Sequence, residues 1–291
     1  MQKVNKVVIP AAGWGTRFLP TTKAIPKEML PIVDKPVIQY VVEEAVNSGI
    51  KDIVIVTGWQ KRAIEDHFDR CLELEDHLRR QGKEEALKEV KRIANLANFI
   101  YIRQKGELYG NGLPVLAAAP VLNNEPFAVM WGDEFIQSTP PRLAQMLKAH
   151  EKHEGVIISG VRVDKDKISR YGIADIEKVD NNLFRIKKIV EKPEPDKAPS
   201  NLATHGAYIL PPRIIDIIKG LKPGKGGEIW LTDAINILIE SGYPVYACEI
   251  ENGKYYDTGN KLEYLKTVLE FALKRSEFSE ELRKYLKKLS L

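Results

Sequence analysis

Residues 11–31 read AAGWGTRFLPTTKAIPKEMLP and directly follow the run KVVIP at residues 6–10. The branched apolar residues of KVVIP predict a buried strand. Two closely spaced glycines after it allow the backbone to approach a ligand without an intervening Cβ atom. A buried strand that leads into a glycine-rich, basic loop is a common anion site of α/β proteins. This stretch therefore predicts an α/β fold with a phosphate site after its first strand.

The rest of the chain repeats the strand pattern and adds helices between strands. A helical stripe of apolar residues runs through KPVIQYVVEEAVNSG and ends at Gly49, which predicts a C-cap there. Such alternation predicts a mostly parallel sheet that is covered by helices on both faces. The stretch YGIADIEKVDNNLFRIKKIVEKP predicts a hairpin that turns at residues 180–182. Further strands are predicted in DIVIVTG, NFIYIRQ, PFAVMWGDE, GVIISGVRV and THGAYIL.

Two segments outside this alternation are rich in charge and have helical apolar spacing. Residues 69–98 predict an amphipathic helix pair that is broken near Gly82. Residues 261–291 predict a C-terminal helical extension. We therefore expect one Rossmann-like α/β domain over residues 1–260, with a mixed twisted sheet and the helical insertion 69–98, followed by the extension 261–291.

The composition excludes several classes of protein. The 44 basic and 40 acidic residues give a net charge of only +4, which is too balanced to predict nucleic-acid binding. No run of about 18 apolar residues suggests a membrane span, and the N-terminus lacks the apolar core of a signal peptide. Cys71 and Cys248 form no disulfide framework, which favours a reducing compartment. We expect a cytoplasmic protein.

The cations of the glycine-rich loop favour a polyphosphate ligand. The amides of residues 13–16 can form a concave set of donors for phosphate oxygens. Arg17 and Lys27 add two cations on a path that three prolines stiffen. The dinucleotide fingerprint requires a third glycine where Phe18 stands, so an NAD-dependent oxidoreductase is disfavoured. A Walker A sequence is also absent.

Other candidate residues are less specific in isolation. Asp133 follows the predicted strand of AVMWGDEF, at the end where α/β folds bind ligands, and Mg²⁺ prefers one or two carboxylates together with phosphate oxygens and water. Glu134 is a further possible ligand. The five histidines lack the spacing of metal ligands, so His150 and His153 are expected at the solvated surface. His205, beside Gly206, is the one histidine with a possible role.

Several separated motifs resemble the sugar-1-phosphate nucleotidyltransferase family. The run Gly-x-Gly-Thr-Arg-x-x-Pro-x-Thr at residues 13–22, followed by KEMLP at 27–31, resembles its signature. The resemblance continues in VEKP at 190–193, in GEIWLTDAINILIE at 227–240 and in YYDTGNKLEYL at 255–265. The insertion 69–98 resembles that of the uridylyltransferases in this family and differs from the shorter thymidylyltransferases.

The resemblance implies a nucleotide-diphospho-sugar transferase fold and a Mg²⁺-dependent reaction of UTP with glucose-1-phosphate. The products would be UDP-glucose and pyrophosphate, and we also expect a homo-oligomer, a dimer or a tetramer. Two alternatives remain open. One is a sibling enzyme that uses dTTP, and the other is a nucleotide-sugar-binding protein without turnover.

The resemblance also assigns roles to individual residues. Tyr171 would precede the glycine whose amide meets the sugar. Leu113, Pro114 and Trp230 stand where the family usually has histidine, alanine and glutamine. The implied catalytic residues are Arg17, Lys27 and Lys192; the nucleotide-binding residues are Ala12, Gly13, Gly15, Thr16, Gln104 and Gly110; the sugar-binding residues are Gly172, Glu191 and Gly206; and the metal ligands are Asp133 and Asp257.

Overall fold

A mixed sheet of nine strands forms the centre of the molecule in the computed structural model, which describes residues 2–106 and 108–289. The strands of the described residues are β1 Lys6–Ala11, β2 Pro31–Ile32, β3 Lys35–Pro36, β4 Asp52–Thr57, β5 Asn98–Arg103, β6 Phe127–Met130, β7 Glu134–Ser138, β8 Val156–Arg162, β9 Gly172–Lys178, β10 Leu183–Glu191, β11 Leu202–Leu210, β12 Val245–Glu249 and β13 Gly253–Asp257. The large sheet has the order β5-β4-β1-β6-β11-β8-β12-β10-β9.

Helices cover both faces of this sheet, as the sequence predicts. In the described residues they are α1 Val37–Asn47, α2 Arg62–Phe68, α3 Leu72–Arg80, α4 Glu84–Ala94, α5 Gly112–Ala118, α6 Arg142–His150, α7 Ile214–Gly220, α8 Leu231–Glu240, α9 Lys261–Lys274 and α10 Ser279–Lys288. None of them, over the ranges 2–106 and 108–289, is long and apolar enough to cross a bilayer.

The direction of the strands decides where a ligand can bind. Strands β5, β4, β1 and β6 pair in parallel, so their carboxyl ends lie at one edge of the sheet. Strand β11 then pairs antiparallel with β6, and β9 and β10 form the predicted antiparallel hairpin. The mixed sheet is thereby confirmed. Strand β12 and the two-stranded sheet of β7 and β13 were not predicted from the sequence.

The core consists of two large apolar clusters, one on each face of the sheet. Along β1, Val8 belongs to one cluster and Ile9 to the other, and both are fully buried. Along β4, Val54 and Ile55 divide in the same way. Because a strand covered on both faces has no polar side, these strands appear in the sequence as continuous apolar runs.

The two predicted helical segments are present. In the insertion, α3 and α4 are separated by a turn at Gly82, whose φ is +67°, and they bury Leu78 and Leu87. At the C-terminus, α9 places Phe271 against the rings of Tyr40 and Phe135. The helix α10 buries no side chain. The division of the chain at residue 260 stays a prediction.

Candidate active site

The carboxyl ends of the four parallel strands line a cavity of about 540 Å³. Gln104 follows β5, and its backbone N–H donates to the carbonyl of Thr57 at the end of β4, 2.8 Å away. The glycine-rich loop follows β1, and Asp133 follows β6. This is the edge at which open α/β sheets bind ligands. The residues lining the cavity include Ala12, Gly13, Lys27, Gln104, Gly110 and Asp133.

The glycine-rich loop folds closely over Lys27. Gly15 has φ +66°, and a Cβ atom there would lie 3.1 Å from Cβ of Lys27. The Thr22 hydroxyl donates to the Gly15 carbonyl at 2.7 Å. A Cβ atom at Gly13 would lie 3.7 Å from Nζ of Lys27. The positive φ and the 3.1 Å approach explain the glycine at position 15, whereas a Cβ atom at Gly13 would be in ordinary van der Waals contact with Lys27.

Lys27 forms an ion pair with Asp133, with 2.6 Å between Nζ and Oδ2. Burial lowers the pKa of Lys27, but the carboxylates of Asp133 and Glu28 outweigh burial and raise it above the ordinary lysine value. Glu28 is itself buried and accepts from Lys61 at 2.9 Å. Lys27 is therefore charged at neutral pH and positioned beside the cavity.

Asp257 ends β13 and faces the same point as Asp133. A Cβ atom at Gly259 would lie 3.3 Å from Oδ1 of Asp257, 3.4 Å from Oδ2 of Asp133 and 3.7 Å from Nη1 of Arg17. The Thr258 hydroxyl donates to the Asp133 carbonyl at 2.6 Å. The tertiary structure thus brings together four of the residues proposed from the sequence, although Asp133 and Asp257 are far apart in the chain.

The two carboxylates fit a divalent cation. Burial raises the pKa of Asp257, and the neighbouring charge of Asp133 raises it further. A cation between two carboxylates that repel each other would be stabilised by both. No group of three or more His, Cys, Asp or Glu side chains suited to a metal occurs in residues 2–106 and 108–289. The remaining ligands of such a cation would therefore be phosphate oxygens and water.

Of the residues proposed to contact the sugar, Gly172 begins β9, Glu191 ends β10, and Gly206 lies in the middle of β11, where the pairing with β8 is irregular. A Cβ atom at Gly172 would lie 3.1 Å from Oε2 of Glu191, its partner in the β9–β10 pairing. A Cβ atom at Gly206 would overlap the side chains of Glu134 and Trp131. Only glycine fits at Gly206 in this arrangement.

Lys192 directly follows β10, on a different strand of the sheet from the loop that carries Arg17 and Lys27. Its Nζ is 3.7 Å from Oε1 of Glu191, and both side chains are about half exposed. Lys192 has φ +48°, a conformation that lysine rarely adopts and that often marks functional positions. Within residues 2–106 and 108–289, no hydrogen bond or ion pair joins Lys192 to Asp133 or Asp257.

Behind the carboxylates lies a buried polar cluster that the sequence analysis largely missed. The Tyr255 hydroxyl donates to Glu134 at 2.8 Å, and burial raises the pKa of Glu134 to about 7. The Tyr255 ring also packs on His205, with 4.0 Å between ring centroids. Burial lowers the pKa of His205 to about 3.

The expectation that His150 lies at the solvated surface was wrong. Its side chain is on the buried side of α6, and the residue is only 8% exposed.

The loop after Gln104 is fixed to the segment before α8. Ile229 donates its amide to the Tyr109 carbonyl at 2.8 Å, and Asn111 accepts from the Leu231 amide at 2.7 Å. Gly110 has φ +128°, and a Cβ atom there would overlap the backbone of Ile229. Trp230 and Pro114, which depart from the family pattern, therefore line the cavity beside Gly110.

Comparison with known proteins agrees with this geometry. A family model described as "Nucleotidyl transferase" matches residues 6–273. The chain belongs to this family. This nucleotidyl transferase is 50% identical over 288 residues to UTP–glucose-1-phosphate uridylyltransferase 1 of Staphylococcus saprophyticus, covering 99% of each chain. It is 48% identical over 289 residues to the UTP–glucose-1-phosphate uridylyltransferase of Staphylococcus haemolyticus, again covering 99% of each.

Solved structures extend the comparison. A UDP-glucose pyrophosphorylase in complex with UDP-glucose is 41% identical, with a TM-score of 0.85 and coverage of 94% of this chain and 100% of that one. A UTP-bound enzyme from Acinetobacter baumannii is 37% identical, with a TM-score of 0.89 and coverage of 98% and 99%. These likenesses confirm the expected fold of a nucleotide-sugar transferase.

Proposed function

We propose that this nucleotidyl transferase transfers a uridylyl group from UTP to glucose-1-phosphate, giving UDP-glucose and pyrophosphate. One observation carries the proposal: the chain is 50% identical over nearly its whole length to a uridylyltransferase of this specificity. The cavity at the parallel strand ends supports it, since cations and carboxylates converge there beside room for a nucleotide.

The chemistry requires positioning and charge neutralisation. A phosphate oxygen of glucose-1-phosphate attacks the α-phosphorus of UTP, the bond to the β-phosphate oxygen breaks, and pyrophosphate leaves. The attacking oxygen is already ionised, so no general base is required. Arg17 and Lys27 are proposed to neutralise the triphosphate and the leaving pyrophosphate. The ion pair with Asp133 holds Lys27 at the cavity before the nucleotide binds.

Asp133 and Asp257 are proposed to hold a Mg²⁺ ion. When bound, Mg²⁺ supplies positive charge against the phosphate oxygens. Thr258 fixes the backbone of Asp133 through its hydroxyl, and the Gly259 amide donates to Asp257 at 3.0 Å. These two contacts orient both carboxylates toward the same point.

The base is assigned to the cavity, and the sugar to residues of β9, β10 and β11 outside its lining. Ala12, Gly13 and Gln104 are proposed to contact the uracil edge, since a carboxamide can both donate and accept. Gly110, Gly15 and Thr16 complete the nucleotide site. Glu191 is proposed to accept hydrogen bonds from glucose hydroxyls beside Gly172 and Gly206. Lys192 is proposed to contact the reacting phosphates, and its half-exposed side chain has freedom to reach them.

We also propose a cytoplasmic homo-oligomer, a dimer or a tetramer. Three leucines of α9 support an interface because they remain well exposed on one helix: Leu262, Leu265 and Leu269. Sedimentation of the purified protein would give its assembly state.

The test is pyrophosphate release from glucose-1-phosphate with UTP, dTTP, CTP, ATP and GTP in parallel, with and without Mg²⁺. We expect Mg²⁺-dependent release with a strong preference for UTP. The Asp133→Ala variant is the control and should show no turnover at any Mg²⁺ concentration. A preference for dTTP would favour the sibling enzyme. No release with any nucleotide would favour a binding protein without turnover.

A further inference from the structure

Two exposed tryptophans stand at the mouth of the candidate active site. Trp14 is 60% exposed and Trp59 is 68% exposed. Both line the large cavity, and both also line a smaller adjoining cavity of about 30 Å³. Within residues 2–106 and 108–289, neither indole packs against another aromatic ring. Single exposed apolar residues are common on protein surfaces, but two neighbouring indoles at a cavity mouth form an apolar patch of the kind that marks a ligand-binding site.

The backbone holds the two indoles close together. Trp14 lies between Gly13 and Gly15, in the loop after β1. Trp59 follows Gly58, after the neighbouring strand β4. A Cβ atom at Gly58 would lie only 2.8 Å from the carbonyl oxygen of Ala12. The absence of a side chain at Gly58 therefore lets the two loops touch, which places Trp59 beside Trp14.

The order of the strands shows what the indoles can contact. Gln104, proposed to bind the base, follows β5, and Asp133, proposed to bind the metal, follows β6. Strands β4 and β1 lie between these two in the sheet. A nucleotide that reaches from Gln104 to Asp133 must therefore pass the loops that carry Trp59 and Trp14. Gln60 has φ +63°, which further restricts the backbone next to Trp59.

We propose that Trp14 and Trp59 are further nucleotide-binding residues that cover the nucleoside part of the nucleotide, with Trp59 against the pyrimidine ring and Trp14 across the ribose. This inference rests on the proposed function and adds a contact to the same site. Aromatic side chains provide a flat apolar surface for a base, whereas hydrogen bonds from Gln104 read its edge. The occupant of the aromatic mouth is thus the nucleoside part of the nucleoside triphosphate.

The experiment compares Trp59→Ala and Trp14→Ala with the wild-type enzyme. We expect each change to raise KM for UTP on the order of 10-fold, the range given by loss of one stacking contact. KM for glucose-1-phosphate should change less than about twofold, and kcat less than about threefold. The stacking contact is made equally in the ground state and the transition state, so its loss weakens UTP binding and leaves the chemical step almost unchanged. Tyr285→Ala removes an exposed aromatic from α10, outside the cavity, and should change none of these values.

Phenylalanine variants separate the contact from the fluorescence signal. Trp59→Phe keeps a ring and should keep KM for UTP within about threefold of the wild type. In a titration with UTP, the change in tryptophan emission should be smaller for Trp59→Phe than for the wild type, at a similar affinity. This pattern would place the Trp59 indole against bound nucleotide.

The outcomes distinguish the two proposals. If the wild type releases no pyrophosphate with UTP, the proposed function fails and this inference fails with it. If the wild type is active but both alanine variants keep KM for UTP within about twofold, the proposed function stands and the inference is overturned. It is also overturned if the variants change the sedimenting mass and leave KM for UTP unaltered, because the indoles would then contact another protein chain.

Discussion

His205 is a buried titratable group whose environment disfavours a charge. It is 2% exposed, and Nε2 has no hydrogen-bond partner in the described residues. Burial, together with the nearby Arg142 guanidinium, lowers its pKa from 6.5 to about 3. At neutral pH it is therefore an uncharged imidazole packed between Tyr171 and Tyr255, and it is unsuited to proton transfer.

The low pKa of His205 predicts a pH dependence of stability. Below pH 6.5 the unfolded chain binds a proton that the folded protein does not. The stability that the neutral His205 contributes to the unfolding free energy is therefore fully present above pH 6.5 and is lost as the pH falls toward 3. By about pH 5 the loss should reach about 2 kcal/mol of unfolding free energy. Urea unfolding at a series of pH values measures it.

The control for this prediction is the His205→Gln variant. Because glutamine does not titrate, this variant should not show the loss of unfolding free energy that His205 causes at acid pH. Comparing it with the wild type at each pH cancels the contributions of other titrating groups, including Glu134 behind the carboxylate pair. If the unfolding free energies of the two proteins fall in parallel as the pH is lowered, the prediction is contradicted, because His205 would then titrate near its ordinary pKa.

The contact between α1 and α6 depends on a buried ion pair. Arg142 is 0% exposed, and it donates from Nε and Nη2 to the carboxylate of Glu44 at 3.0 and 3.1 Å. Glu44 also accepts from the Leu143 amide at 3.2 Å, at the N-terminus of α6, where a negative charge is favourable. One carboxylate therefore fixes both the buried cation and the start of the helix.

Removing Arg142 alone should lower the unfolding free energy more than replacing both partners of the ion pair. Arg142→Ala should lower the unfolding free energy by about 3–5 kcal/mol, because Glu44 is left buried without a counter-charge. The double change of Arg142 and Glu44 to methionine should recover part of this loss. Arg79→Ala removes an exposed arginine paired with Asp76 and should cost less than about 1 kcal/mol. Equal losses for Arg142→Ala and Arg79→Ala in denaturant unfolding would contradict the interpretation.

The C-terminal helices differ in how much they contribute to the rest of the molecule. Phe271 of α9 packs on Tyr40, Phe135 and Tyr256, and Tyr256 lies in the strand that ends at Asp257. The side chains of α10 are not buried. The predicted boundary at residue 260 would therefore cut between a strand of the candidate site and the helix that covers it.

Two truncations test this boundary. Ending the chain after residue 277 should leave uridylyl transfer intact and lower the unfolding free energy by less than about 1 kcal/mol. Ending it after residue 260 should cost about 3–5 kcal/mol, because it removes the partly buried Phe271 together with the rest of α9, and it should abolish activity because β13 is left uncovered. A folded, active chain of 260 residues in calorimetry and in the pyrophosphate assay would establish 261–291 as a separate extension.

Much of the fold was predictable because its signals are local. The apolar runs of β1 and β4, the stripe of α1 and the hairpin of β9 and β10 depend on neighbours within a few residues. Strand β13 was missed, because GKYYD has only its two tyrosines as apolar residues and is stabilised by pairing with β7. The burial of Arg142 and His205 was also missed, since polar residues are buried only where distant partners or tight packing permit it.

The sequence by itself determined the α/β class, the glycine-rich loop with Arg17 and Lys27, and the family to which the chain is similar. These follow from residue types at short, fixed spacings. Only the tertiary structure decided that four charged residues meet at one edge of the sheet: Arg17, Lys27, Asp133 and Asp257. It also decided that Trp14 and Trp59 lie together at the mouth of the cavity there. The physical reason is strand pairing between distant segments: the parallel pairing of β4, β1 and β6 aligns the loops that follow them, and the antiparallel pairing of β13 with β7 sets Asp257 opposite Glu134, next to Asp133.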